Sequence, residues 1–115
     1  YSPSTKLVTL DPSLDSYSSW VRATILAHEL QHAADDAAGN LTYSPSNCYL
    51  AEETAFRRQA QVWADLWQNH LPPNLDSMHQ MLNDITLTVA RDPSGFVKSI
   101  VSSYHQECDS NSSTN

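Results

Sequence analysis

Positive charge is scarce in this chain. Six Lys and Arg stand against thirteen Asp and Glu, for a formal net charge of −7, and this argues against nucleic acid or an anionic membrane surface as a partner. No run of eighteen apolar residues occurs, so no span of a membrane is expected. Cysteine is almost absent, with Cys48 and Cys108 alone. Paired, they close a loop of about sixty residues, for which the chain-entropy estimate is about 4 kcal/mol of stabilisation. That even count and two sequons, Asn40-Leu41-Thr42 and Asn111-Ser112-Ser113, point to an extracytoplasmic or secreted protein. The chain opens at Tyr1 with neither a Met nor a signal peptide, so a processed form or an excised domain is expected. Its 115 residues suffice for one domain with a modest core, assigned to residues 1–108, and they contain no internal repeat.

The pattern along the chain is mainly α. Thr5 to Leu10 alternates and ends at Asp11-Pro12, which predicts a short N-terminal β-strand. Such a strand either packs as an arm or leaves an open edge where an extended peptide can add. About four helices follow. The first is expected from about Asp15 to Ala38, with a stop at Gly39-Asn40, and its Leu26, Leu30 and many alanines predict a largely buried helix. The second, about Ser46 to Asn69, lines up Tyr49, Phe56, Ala60, Trp63 and Trp67 at helical spacing as core. Pro72-Pro73 stops it. Asn74 or Asp76 caps a third helix carrying Met78, Met81, Leu82, Ile85 and Val89. Asp92-Pro93 opens a fourth with Phe96, Val97, Ile100, Val101 and Tyr104 on its apolar side. Residues 109–115 hold no apolar side chain and are expected to form a disordered tail.

Within the first helix lies His28-Glu29-Leu30-Gln31-His32. Residues four apart share a helix face, so the two imidazoles can reach one zinc ion while Glu29 stands beside them to hold a water. A catalytic zinc usually takes a third protein ligand. The metzincin pattern needs a His or Asp six residues past His32, where Ala38 stands, and it is excluded. A carboxylate from the second helix remains, and Glu52 and Glu53 flank its apolar stripe about 50° to either side of the centre. Periodicity alone leaves both open.

In these residues the chain resembles the gluzincin metallopeptidases, whose H-E-x-x-H helix is followed by a second helix carrying a Glu ligand, often as E-x-x-A. Glu52-Glu53-Thr54-Ala55 matches with Glu52 in the ligand position, twenty residues after His32 as in the thermolysin-like members. The likeness covers roughly the first half of the chain; the last two helices match no family pattern. It implies a minimal zincin-like architecture and a Zn2+-dependent endopeptidase acting on a peptide or protein substrate. His28, His32 and Glu52 would be ligands, with Glu53 the alternative, and Glu29 the general base. An oxyanion helper is then expected from a later segment, with Tyr104, His105 and His79 as candidates.

Asp35 and Asp36 follow His32 and are read as a solvated face or as support for a ligand imidazole. If Cys108 bonds to Cys48, the segment around it is tethered four residues from Glu52. His105, Glu107 or Asp109 would then be able to occupy the metal's open position as intramolecular inhibition by the C-terminal segment. Two rival readings stand beside the peptidase. One is a four-helix carboxylate-bridged di-metal protein, in which Glu29-Leu30-Gln31-His32 pairs with Asp76-Ser77-Met78-His79. The other is a helical binding module whose zinc is structural or absent.

Overall fold

The computed structural model of the chain describes residues 1–40 and 44–113. It is mainly helical. A 3₁₀ turn at Pro12–Ser16 leads into α1 (Ser19–Ala37), α2 (Pro45–Leu66), α3 (Ser77–Arg91) and α4 (Pro93–Ser113).

Each helix begins where a short polar side chain can take the first free backbone N–H. Ser18 accepts from Val21 N at 3.3 Å and Ser44 from Asn47 N at 3.3 Å, and Pro45 occupies the first position of α2, where no N–H is needed. Asp76 accepts from His79 N at 2.8 Å, and Asp92 from Gly95 N at 3.1 Å. A Cβ at Gly95 would stand 2.2 Å from Asp92 Oδ2, so the cap closes only because residue 95 has no side chain. At the other end of α1, Gly39 has φ 76° and donates to Asp36 O at 3.0 Å, a left-handed C-cap that glycine adopts without steric cost. The second helix ends at Leu66, short of the expected Asn69, because Gln68 (φ 51°) and Asn69 (φ 63°) turn left-handed.

α2 packs against all three other helices. Its Trp63 forms the core with Val21 of α1 and Leu82 of α3, ringed by Tyr17, Ile25, Trp67, Leu71 and Met78. The indole N–H is not wasted: Trp63 Nε1 donates to Asn83 Oδ1 at 2.9 Å, and Asn83 Nδ2 donates to Pro72 O at 2.7 Å and Asn74 Oδ1 at 2.9 Å. One buried amide thus fastens the Pro72-Pro73 link to both helices it joins, as buried polar groups require. At the opposite end, Cys48 and Cys108 form a disulfide that ties the first turns of α2 to the last turns of α4.

Two expectations are corrected. No strand occurs among the described residues; Ser2 and Leu7 make one isolated antiparallel bridge around Lys6 at φ 60°, and Leu7 is 63% exposed. The alternation of Thr5 to Leu10 had no second strand to pair with, and it folds into a turn. α1 is buried only along Val21, Thr24 and His28, and Leu30 is exposed, because α2 is the one long helix packed closely on it. α4 extends to Ser113; residues 114–115 lie outside the described residues, as do residues 41–42 of the first sequon. Cys108, buried and disulfide-bonded, anchors that extension, and Tyr49 OH donates to Asp109 Oδ1 at 3.0 Å beside it. No helix is long and apolar enough to cross a membrane among the described residues.

Candidate metal centre

Two turns past the core residue Val21, α1 presents His28 and His32 on one face, their ring centroids 4.9 Å apart. Facing them, three turns before Trp63 on α2, is Glu52. His28 Nε2 lies 3.3 Å from Glu52 Oε1, and His32 Nε2 lies 3.1 Å from Glu52 Oε2. One donor atom from each residue falls within 4.8 Å of the others. Bonds of about 2.1 Å at tetrahedral angles would hold ligand atoms roughly 3.4 Å apart. The two imidazole-to-carboxylate distances match that spacing. Two neutral imidazoles and one carboxylate are also a donor set suited to a borderline-soft divalent ion. The His28-His32-Glu52 group is therefore fit to hold a metal.

The site is partly shielded, with Glu52 side-chain exposure at 14%. Burial pushes the Glu52 carboxyl upward, yet hydrogen bonds from His28 and His32 and their charges outweigh it and bring it down to about 2. For His32 burial works against the charged imidazole, and the Glu52 hydrogen bond with the charges of Glu52 and Glu29 raises it above its ordinary value. Thus both imidazoles and the carboxylate are held against one another. One atom is left over: His28 Nδ1 is buried without a hydrogen-bond partner, so no acceptor fixes that ring from behind as metal-bound imidazoles usually have. The His28 ring is instead positioned by packing edge-on against Phe56, with centroids 4.4 Å apart.

Glu29 lies beside the cluster, close enough for its charge to act on both His32 and Tyr104, and its Oε2 is held by the amino group of Tyr1. Tyr104 arrives from α4. Burial, the charges of Glu52, Glu107 and Glu29, and a hydrogen bond to Glu52 keep its hydroxyl protonated far above the ordinary range of a phenol. Its ring sits 6.0 Å from that of Phe56.

The other sequence candidates go elsewhere. Glu53 is outside the group that His28, His32 and Glu52 form. His105 is exposed, with Nδ1 against Ser102 O of its own helix at 3.0 Å. Glu107 is exposed, and Asp109 accepts from Tyr49, so none of these three tail residues meets the imidazoles. Asp35 accepts from Gln31 Nε2 at 3.1 Å, whereas Asp36 accepts from Tyr1 OH and from Lys6 Nζ, the latter at 2.7 Å. His79 bonds to its own cap, Nδ1 to Asp76 Oδ1 at 2.9 Å, and its ring packs 5.7 Å from Trp63. Trp63 is eleven residues from Glu52, about 16 Å along a helix. Asp76 and His79 therefore supply no second metal half-site to Glu29 and His32.

Sequence reading overlooked Phe56 as part of the site, having assigned it to the core stripe. The available signal was its position one turn after Glu52 on the same face. Compared with protein-family models, with curated proteins and with solved structures, the chain matches none.

Proposed function

We propose that this chain is a small zincin-like metallopeptidase domain that hydrolyses peptide bonds with a zinc ion held by His28, His32 and Glu52. The observation that carries the reading is the convergence of two imidazole Nε2 atoms and one carboxylate, from helices α1 and α2, at ligand spacing. A zinc ion held there supplies a polarised substrate carbonyl and a water acidic enough to attack it near neutral pH.

The chain's own groups do the rest. Glu29 takes the proton of the attacking water and returns it to the leaving amine. The Tyr104 hydroxyl keeps its proton through the working pH range and donates to the carbonyl oxygen as that atom gains charge. Phe56 and the partial burial of Glu52 exclude water around the cluster, which strengthens both interactions. The disulfide fits maturation in an oxidising compartment, and a secreted enzyme is the corresponding proposal.

A structural metal site is the second reading, favoured by the shielding of its ligands, with His28 side-chain exposure at 9% and that of His32 and Glu52 at 14%. Elemental analysis combined with a peptide-hydrolysis assay separates the two. One zinc per chain is expected in the wild type, retained in Glu53→Ala and Glu29→Gln and lost in Glu52→Ala. Hydrolysis is expected to vanish in Glu29→Gln. Zinc without hydrolysis in the wild type establishes the structural reading, and absence of stoichiometric metal removes both.

A further inference from the structure

α2 is the one long helix packed closely on α1, and the side that α1 turns away from it is apolar. Trp20, Ala23, Ala27, Leu30, Ala34 and Ala37 recur at alternating steps of three and four residues. At 100° per residue they share an arc of about 100°, centred about 120° from the line of Val21, Thr24 and His28 that faces α2. Trp20 is 42% and Leu30 51% exposed; Ala23, Ala34 and Ala37 are exposed as well, and Ala27 is half-buried. A helix side left to solvent normally carries charge, as α2 does with Arg57, Arg58 and Asp65. The N-terminal arm does not cover the stripe, because Tyr1 and Lys6 bond to Glu29 and Asp36 on another side of α1. Alternating threes and fours are the spacing with which one helix meets another along its length.

We infer that this face of α1 is a homodimer interface, in which two copies of the chain pair their first helices antiparallel about a two-fold axis between Ala27 and Leu30. In that register Trp20 stands opposite the partner's Ala37, Ala23 opposite the partner's Ala34, and Leu30 opposite the partner's Ala27. Each large side chain meets an alanine, so the helices can close to about 8 Å, and burying Trp20 and Leu30 removes apolar surface from water on both copies. A parallel pair would set Trp20 on Trp20 and Leu30 on Leu30. Charge selects the same direction. α1 carries Arg22 in its first half and Asp35 and Asp36 in its second, so antiparallel copies bring opposite charges together at each end, whereas parallel copies stack the acids. A standard interface engages about 20–30 residues a side; one helix face offers far fewer, so the dimer forms at micromolar concentrations or above. None of the six residues belongs to the metal group, and the inference is independent of the peptidase reading.

Sedimentation velocity tests this on the full chain, from about 1 µM to about 1 mM, with chelator present so that no bridging metal contributes. The mass is expected to rise from that of one chain to that of two. Leu30→Glu sets two carboxylates beside the axis, and Ala34→Glu buries one against the partner's Ala23. Each is expected to weaken association at least ~100-fold. Both positions are exposed and Glu favours helix, so circular dichroism should show unchanged helix content. Ala23→Lys added to Ala34→Glu places opposite charges face to face in the antiparallel register but like charges in a parallel one, and it is expected to recover association at least ~10-fold. A single-chain mass across the whole range overturns the inference. A dimer that survives both Glu substitutions lies on another face and overturns it too, as does a dimer that Ala23→Lys fails to restore. Assembly that continues beyond two chains also overturns it, because a two-fold pair closes on itself.

Discussion

The same two helices carry opposite kinds of packing at their two ends. Where α1 and α2 meet at Val21 and Trp63, the surfaces are apolar, and the buried indole is matched donor to acceptor through Asn83. Where they meet at His28, His32 and Glu52, polar groups converge, and the Glu52 carboxyl is brought down to about 2. The first end lowers the free energy of the fold. The second gathers ionisable groups whose desolvation opposes burial and whose bonds to one another offset it. The apolar core and the candidate metal group are separated along one helix pair by about three turns.

That separation can be broken from either end. The largest effect is expected from Trp63→Ala, which empties the core and strips Asn83 of its donor; a loss of about 3–5 kcal/mol should appear in denaturant unfolding. Serine at both Cys48 and Cys108 comes next, with a loss near 4 kcal/mol for a loop of roughly sixty residues, read as a lower thermal midpoint that reductant reproduces in the wild type. Glu52→Ala reverses the pattern. Zinc affinity should fall by more than ~100-fold, the upper range seen for loss of mere outer-shell partners, while the metal-free thermal midpoint falls less than in either of the two preceding variants. A large fall in that midpoint would show that the metal group belongs to the fold after all.

Much of this division was readable in the letters, for a physical reason. His28 and His32 share a face because a helix repeats every 3.6 residues, and Asp76 and Asp92 cap their helices because the bond each makes lies within three residues. Local geometry is encoded locally. The choice of Glu52 over Glu53 needed the crossing of α1 and α2, and the arrival of Tyr104 rather than His105 needed the rotation of α4, neither of which periodicity supplies. The N-terminal arm misled for a related reason: alternation in Thr5 to Leu10 describes a strand only when a partner strand exists. Leu30 shows the same limit, being apolar, helical and exposed because no third helix covers it.

The smallest effect sharpens the contrast through pH. Asp76 and Asp11 lie below their ordinary value of 3.8, chiefly because backbone N–H groups of His79 and Ser13 donate to them. A carboxyl with a lowered folded value adds stability that is fully present above its unfolded value and disappears as pH falls through the folded one. The caps should therefore weaken only below about pH 4. Asp76→Asn, which keeps the acceptor without the charge, should flatten part of that acid slope in thermal unfolding.

The disulfide does more than join two segments. α2 and α4 run antiparallel, so one turn forward from Cys48 reaches Glu52, and one turn back from Cys108 reaches Tyr104. Further along, Arg57 lies 5.2 Å over the Phe96 ring. The bridge acts as the zero mark of a ruler laid along both helices. Adding one residue between Cys48 and Glu52 would leave the mark in place and rotate every later side chain of α2 by about 100°. Carboxylate, Phe56 and core indole would all leave their stations together. In this chain, spacing counted from the bridge is as constrained as the identity of the residues themselves.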